Sequence, residues 1–156
     1  MPIAQFLLES VQDCTKALEE MYAVIDFDDR DMDDARNEFE EDAGEEKECI
    51  EFLLEAYSYY VRIAGANILA SIEIIQQMAN AYMSSNFEYI RFIGVCLLDD
   101  LIKYNPSTIE GIIPQVLDFF GNNMQCEDPA LRQAVLYGIK LIVEQYPAVI
   151  QPQCQV

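Results

Sequence analysis

The chain has 156 residues, 52% of them hydrophobic, which is enough for one domain with a sizeable core and too apolar for wholesale disorder. Acidic residues number 28 against 9 basic ones, a net charge of −19, so direct nucleic-acid binding through phosphate neutralisation is not expected. Histidine is absent, which removes Ser-His-Asp and Cys-His catalysis and histidine-bearing zinc sites, and no glycine cluster approaches a phosphate-binding loop. The expectation is therefore a non-enzymatic protein without a cofactor, in contact with no membrane, since no apolar run reaches the roughly 18 residues needed to span one.

In chain order, PIAQFLLESVQDCTKALEEMYAV reads as a first amphipathic helix. It is followed by VIDFDDRDMDDARNEFEEDAGEEKE, Val24 to Glu48, in which 13 acids face 3 bases; such self-repelling charge reads as an extended, solvated, mobile loop over residues 26–46. A second helix then begins near Glu46, with Ile50, Leu53, Tyr57 and Tyr60 as its apolar seam and Gly65 ending it. ANILASIEIIQQMANAYM is again helical by period. SSNFE supplies a start, with Ser85 or Asn86 as N-cap, for EYIRFIGVCLLDDLIKYNP, whose Ile90, Ile93, Gly94, Leu97, Leu98 and Leu101 share one face and which Pro106 stops. STIEGIIPQVLDFFGNN is read as a helix with Pro114 inside it, at a cost of about 3 kcal/mol that packing must offset. DPALRQAVLYGIKLIVEQYP, capped by Asp128 with Pro129 first, closes the series at Pro147.

These segments repeat at one constant interval: Arg91 falls on Arg132, Leu98 on Ile139, Leu101 on Ile142 and Pro106 on Pro147. Likewise Ile68, Ile72 and Ile75 fall on Ile109, Ile113 and Val116. A helix pair of about 40 residues is the period of HEAT and armadillo repeats, so the expected fold is an all-α solenoid of antiparallel helix pairs. The pairs run roughly over 2–64, 66–105 and 107–147, and the tail 148–156 reads as the start of a further helix in a longer array.

Several residues invite a functional reading. Asp29, Asp31, Asp33 and Glu40 occupy positions 1, 3, 5 and 12 of a calcium-binding EF-hand loop, but Asp34 stands where that loop needs glycine and Arg36 where it needs an apolar residue. In register, Glu51, Glu55, Glu88, Asp99 and Glu144 lie on the arc opposite the core, joined by Asp100, as candidate contacts for a partner; Asp99 is also placed to pair with Lys103 at i+4. Arg91 and Arg132 read as structural ties to an adjacent repeat through a carboxylate or a carbonyl, alongside the helix-stopping Pro106 and Pro147. Tyr57, Tyr59 and Tyr60 read as packing residues with wetted hydroxyls, and Phe119 and Phe120 as core, one of them placed to line a groove. The five cysteines, at 14, 49, 96, 126 and 154, lack any CxxC pair and read as reduced, mostly buried thiols.

FIGVCLLDDLIKYNP followed by DPALRQAVLYGIKLIVEQYP resembles the C-terminal third of the beta-karyopherins, the importin-beta-like nuclear transport receptors, and is most similar to their importin beta-three branch. The resemblance spans Phe92 to Pro147 and rests on Gly94, Cys96, Asp99 and Asp100, and on Pro129, Arg132, Gln133, Ala134, Tyr137 and Gly138; an acidic insertion also precedes the corresponding helix in that branch. SSNFEYIR stands where the family carries a tryptophan and a proline-rich turn, and residues 1–25 lie outside the likeness. It implies a right-handed superhelix, with first helices convex and second helices concave, shuttling between cytoplasm and nucleus. The implied partners are basic protein cargo, the Phe-Gly repeats of nucleoporins and the small GTPase Ran, engaged through a full-length parent. The alternatives are a HEAT scaffold subunit of another complex and a calcium-binding module.

Overall fold

The computed structural model describes residues 3–24 and 33–150, and every regular element among them is helical. Two compact units, Met1–Tyr57 and Ser58–Val156, divide within the second helix. In the first unit, α1 (Ile3–Val24) buries Ala4, Leu7, Leu8, Val11 and Leu18 at the three- and four-residue steps of one helix face. Thr15 also lies on that face and donates its hydroxyl to the Val11 carbonyl at 2.6 Å, so its buried oxygen is satisfied locally. Along α2 (Asp33–Ala64) the buried stripe in this unit is Ala43, Ile50, Leu54 and Tyr57. Cys14 of α1 meets Cys49 of α2, with the sulfurs 3.7 Å apart, and the Lys47 ammonium stands 5.7 Å over the Tyr22 ring. As α1 advances from Cys14 to Tyr22 its neighbour on α2 retreats from Cys49 to Lys47, so the two helices run antiparallel.

The extent of α2 corrects the loop expected over 26–46, because residues 33–46 are helical. Glu and Ala are strong helix formers, and the apolar seam continues backwards through the buried Ala43, so packing outweighs the mutual repulsion of the carboxylates. Residues 25–32 lie outside the described ones. At its far end α2 stops at Ala64, where Gly65 takes a φ of 50° that side-chain-bearing residues rarely adopt.

In the second unit a 3-10 turn over Gly65–Ser71 leads into α3 (Ile72–Met83), then α4 (Glu88–Tyr104). Two shorter 3-10 turns, Pro106–Thr108 and Glu110–Ile112, lead into α5 (Ile113–Asn123), then α6 (Pro129–Gln145) and a last turn, α7 (Pro147–Ile150). α3 packs on α4, α5 on α6, and α4 on α6. The interval read from the sequence governs the backbone: α4 and α6 each have 17 residues, starting at Glu88 and at Pro129, its counterpart in the repeat. Their C-caps match as well, Asn105 at φ −140°, ψ 51° and Tyr146 at φ −128°, ψ 55°, each N–H bonding four residues back at 2.8 Å. The Tyr146 hydroxyl donates to the Pro106 carbonyl, which joins the end of the last pair to its beginning.

Pro114 proves to carry no penalty, because α5 begins at Ile113 and the residues before it form 3-10 turns; an early helical position has no intrahelical partner for the missing N–H anyway. The N-cap of α4 is Phe87, one residue beyond the expected pair, while the Ser85 hydroxyl accepts from the Phe87 N–H at 3.2 Å. Asp128 caps α6 as expected, its carboxylate accepting from Leu131 N–H at 2.7 Å. Arg91 and Arg132 do bond carbonyls, but those of the loop before their own helix rather than of an adjacent repeat. Arg91 donates to Ser85 O at 3.0 Å and Arg132 to Cys126 O at 2.9 Å, both six residues back.

Two glycines set the interhelical distances. A Cβ on Gly94 would stand 2.9 Å from the Ala79 carbonyl of α3, and one on Gly138 would overlap both the Asp99 carboxylate of α4 and the Phe120 ring of α5. Gly138→Ala is therefore expected to lower unfolding stability by up to roughly 2 kcal/mol, overpacking of about 1–3 offset by a helix-propensity gain of about 1, read as a lower urea midpoint.

Candidate functional site

Three features of the surface and interior bear on function. The first is anionic. Glu40, Glu41, Asp42, Glu45, Glu48, Glu51 and Glu55 are all exposed along α2, on the sides of the helix that its apolar stripe leaves free. A rigid helix thus presents carboxylates at fixed spacing, a field suited to attracting a cationic partner. The EF-hand alternative does not fit this backbone: Asp33 opens α2 and Glu40 lies two turns along it, whereas a calcium loop must be non-helical between them. Asp29 and Asp31 lie outside the described residues, among which no three His, Cys, Asp or Glu side chains are grouped to hold a metal ion.

The second feature is a groove of about 290 Å³ in the second unit, between α3 and α5. Gln76, Asn80, Met83 and Ser84 line it from α3 and its end, Ile112, Gln115, Val116 and Phe119 from the approach to α5 and α5 itself, and Leu98 of α4 forms its floor. Gln76 is held in place by donating to the Thr108 carbonyl at 3.1 Å. The lining carries no charge and is mixed, the amides of Gln76, Asn80 and Gln115 and the Ser84 hydroxyl beside the apolar Met83, Ile112, Val116 and Phe119, a setting that could bond a peptide and take a side chain from it. Phe120 points into the core and Phe119 into the groove, edge-to-face at 6.2 Å between centroids.

The third is the acid pair of α4. Asp99, expected on the arc opposite the core, is only 6% exposed, covered by α6. The arc assignment fails because α4 is packed on two sides, by α3 and by α6, and so has a second interior face. Its Oδ1 has no hydrogen-bond partner among the described residues. Burial, then the neighbouring Asp100 charge, push its pKa well above the usual carboxylate range, against the weaker pull of Lys103. Lys103 does not close the expected pair; its ammonium lies over the Tyr104 and Tyr137 rings at 5.1 and 5.6 Å. Asp100 accepts from the Ser58 hydroxyl at 2.8 Å, and burial raises its pKa to about 6 although Ser58 and Lys103 both oppose the rise.

The remaining acids read from the sequence are scattered. Glu51 and Glu55 join the α2 face, Glu88 is half-buried beside Arg91 at 3.4 Å, and Glu144 pairs with Lys140 at 3.7 Å on the surface of α6. Tyr57 is fully buried, its hydroxyl included, whereas Tyr59 is exposed and Tyr60 half-buried. Cys49 is exposed, and Cys14, Cys96 and Cys126 are only partly buried, contrary to the buried thiols expected. Sequence reasoning placed one of Phe119 and Phe120 at a groove, which Phe119 lines, but missed the rest of that groove. Its lining comes from three separate stretches of chain, 76–84, Leu98 and 112–119, and only the recurrence of apolar positions between 72–83 and 113–123 hinted that α3 and α5 lie side by side.

No family model matches the chain, and no match was found to a curated protein or to a solved structure. No helix among the described residues is long and apolar enough to cross a membrane.

A carboxyl whose folded pKa is raised contributes stability that is fully present below its unfolded value of about 4 and is lost as pH rises through the folded value. For Asp100 that loss falls between about 4 and about 6, and for Asp99 it runs in the same direction. Asp99→Asn, which keeps the shape but cannot ionise, is expected to gain on the wild type as pH rises from about 5 to about 8. Urea midpoints of the two proteins across that range read the difference directly, and a constant offset would contradict it.

Proposed function

We propose that the chain is a segment of a HEAT-type α-solenoid that works by binding proteins, as part of a nuclear import receptor of the beta-karyopherin kind. The observation that carries the solenoid reading is the repetition of one helix pair at the interval from Arg91 to Arg132, down to matching caps and matching arginine bonds. A second observation agrees with it. Val95 and Ile102 of α4 are 0% exposed in a helix that α6 covers, whereas their counterparts one repeat on, Leu136 and Val143 of α6, are 50% and 47% exposed. The outer face of α6 thus repeats the pattern that α4 buries, as in a unit shaped to be stacked.

The receptor reading adds the resemblance around Gly94–Asp100 and Pro129–Gly138 to two surfaces of suitable chemistry. The acidic face of α2 is the surface for basic cargo, and the uncharged groove between α3 and α5 is the surface for a Phe-Gly repeat, its phenyl ring lying on Leu98 and Phe119. GTP-bound Ran would act on the full-length parent, releasing cargo as the superhelix flexes between cytoplasm and nucleus.

Each surface has its own test. A Phe-Gly repeat peptide titrated onto the protein is expected to shift NMR signals of the groove residues, and Phe119→Ala to weaken that binding about tenfold, the equivalent of ~1.4 kcal/mol. Independently, replacing Glu41, Glu45 and Glu48 by Gln is expected to weaken a lysine-rich peptide at low salt and to flatten the dependence of its affinity on salt, measured by calorimetry. Unchanged affinity in both experiments would overturn the receptor reading.

A further inference from the structure

The first unit brings together two thiols from different helices, Cys14 of α1 and Cys49 of α2. Their sulfurs are 3.7 Å apart, and both are free thiols. That separation is van der Waals contact; a disulfide needs the sulfurs at about 2.0 Å, so closing the bond requires the two to approach further. The two thiols are not equivalent. Cys49 is exposed, whereas Cys14 is half-buried beside Glu46.

We propose that Cys14 and Cys49 are a reversible redox pair, closing by exchange with a small-molecule disulfide such as oxidised glutathione into a covalent tie between α1 and α2. Cys49, the accessible sulfur, attacks first: it gives its proton to solvent, bonds one sulfur of the glutathione disulfide, and the other glutathione leaves as a thiolate. Cys14 then loses its proton and attacks the Cys49 sulfur, and the second glutathione leaves. Two protein thiols are oxidised to one disulfide, one glutathione disulfide is reduced to two thiols, and the two protons released by the cysteines are taken up by the departing thiolates.

The order follows from the surroundings of Cys14. Burial pushes its pKa up to about 12, and Cys49 and Glu46 beside it add to the rise. A free Cys14 is therefore a poor nucleophile at neutral pH. Once Cys49 carries the mixed disulfide, its own contribution to that rise is gone, and the sulfur to be attacked lies in contact. The first step is thus selective for Cys49, and the second is favoured by proximity.

The tie closes the stretch of chain from Cys14 to Cys49 into a loop, and a bond across a loop of that length restrains the unfolded state. It also fixes the α1 side of the helix that bears the acidic surface.

Incubating the whole protein in a series of glutathione redox buffers and mapping peptides by mass spectrometry tests the proposal. The expected result is a Cys14–Cys49 cross-link, with the thiols of Cys96, Cys126 and Cys154 retained. Cys14→Ser is expected to stop at a glutathione adduct on Cys49, and Cys49→Ser to leave Cys14 unmodified. Oxidation is expected to raise the thermal midpoint by roughly 5 °C in the wild type and by nothing in Cys14→Ser/Cys49→Ser. The proposal is overturned if the wild type gives no cross-link, if glutathione remains on Cys49 with Cys14 present, or if Cys96 or Cys126 reacts ahead of Cys49.

Discussion

The second unit is organised around the place where α4 meets α6. α4 packs closely against both α3 and α6, and α6 approaches so near that position 138 has room for nothing larger than glycine. Into that contact come the Phe120 ring from α5 and the Asp99 carboxylate from α4. A charged carboxylate in such a place would cost several kcal/mol without a partner, and the Asp99 Oδ1 has none among the described residues. The interface therefore favours Asp99 in its protonated form. Packing and protonation are in this sense linked: the glycine admits the group, and its burial there favours the neutral form.

The repeat was legible in the sequence because it is written in residues with strong local meaning. Prolines at 106 and 147 end helices, Asp128 starts one, and isoleucines at helical spacing recur at the same interval, so α3 to α6 follow from spacing alone. What escaped was whatever depends on neighbours distant in sequence. Asp99 looked solvated because a single amphipathic helix has one interior face, and nothing local reveals that a second helix covers the other. Pro114 looked costly because the helix boundary was placed before it, whereas the 3-10 turns over 106–112 move that boundary to Ile113. The acidic stretch looked like a loop because charge density was weighed and the isolated Ala43 was not.

Helix formation there alters what the acidity can do. Carboxylates on a flexible tether adapt to any basic partner at an entropic cost, while carboxylates on α2 keep one spacing and one orientation in the unit they belong to. The groove in the other unit differs in kind, uncharged and lined by both amide and apolar side chains. The described residues thus carry two chemically distinct surfaces on elements that are all helical.

The arginine bonds at 91 and 132 have a consequence for how such a chain changes over time. Both guanidinium groups grip the preceding loop by main-chain carbonyls, at Ser85 and Asn86 in one case and at Cys126 in the other. Every amino acid supplies that acceptor. The arginine bond itself makes no demand on the side chains of the gripped residues, which are serine and cysteine at equivalent positions, while the loop keeps its path. Geometry is inherited through the arginine, and the letters it holds in place carry almost no record of it.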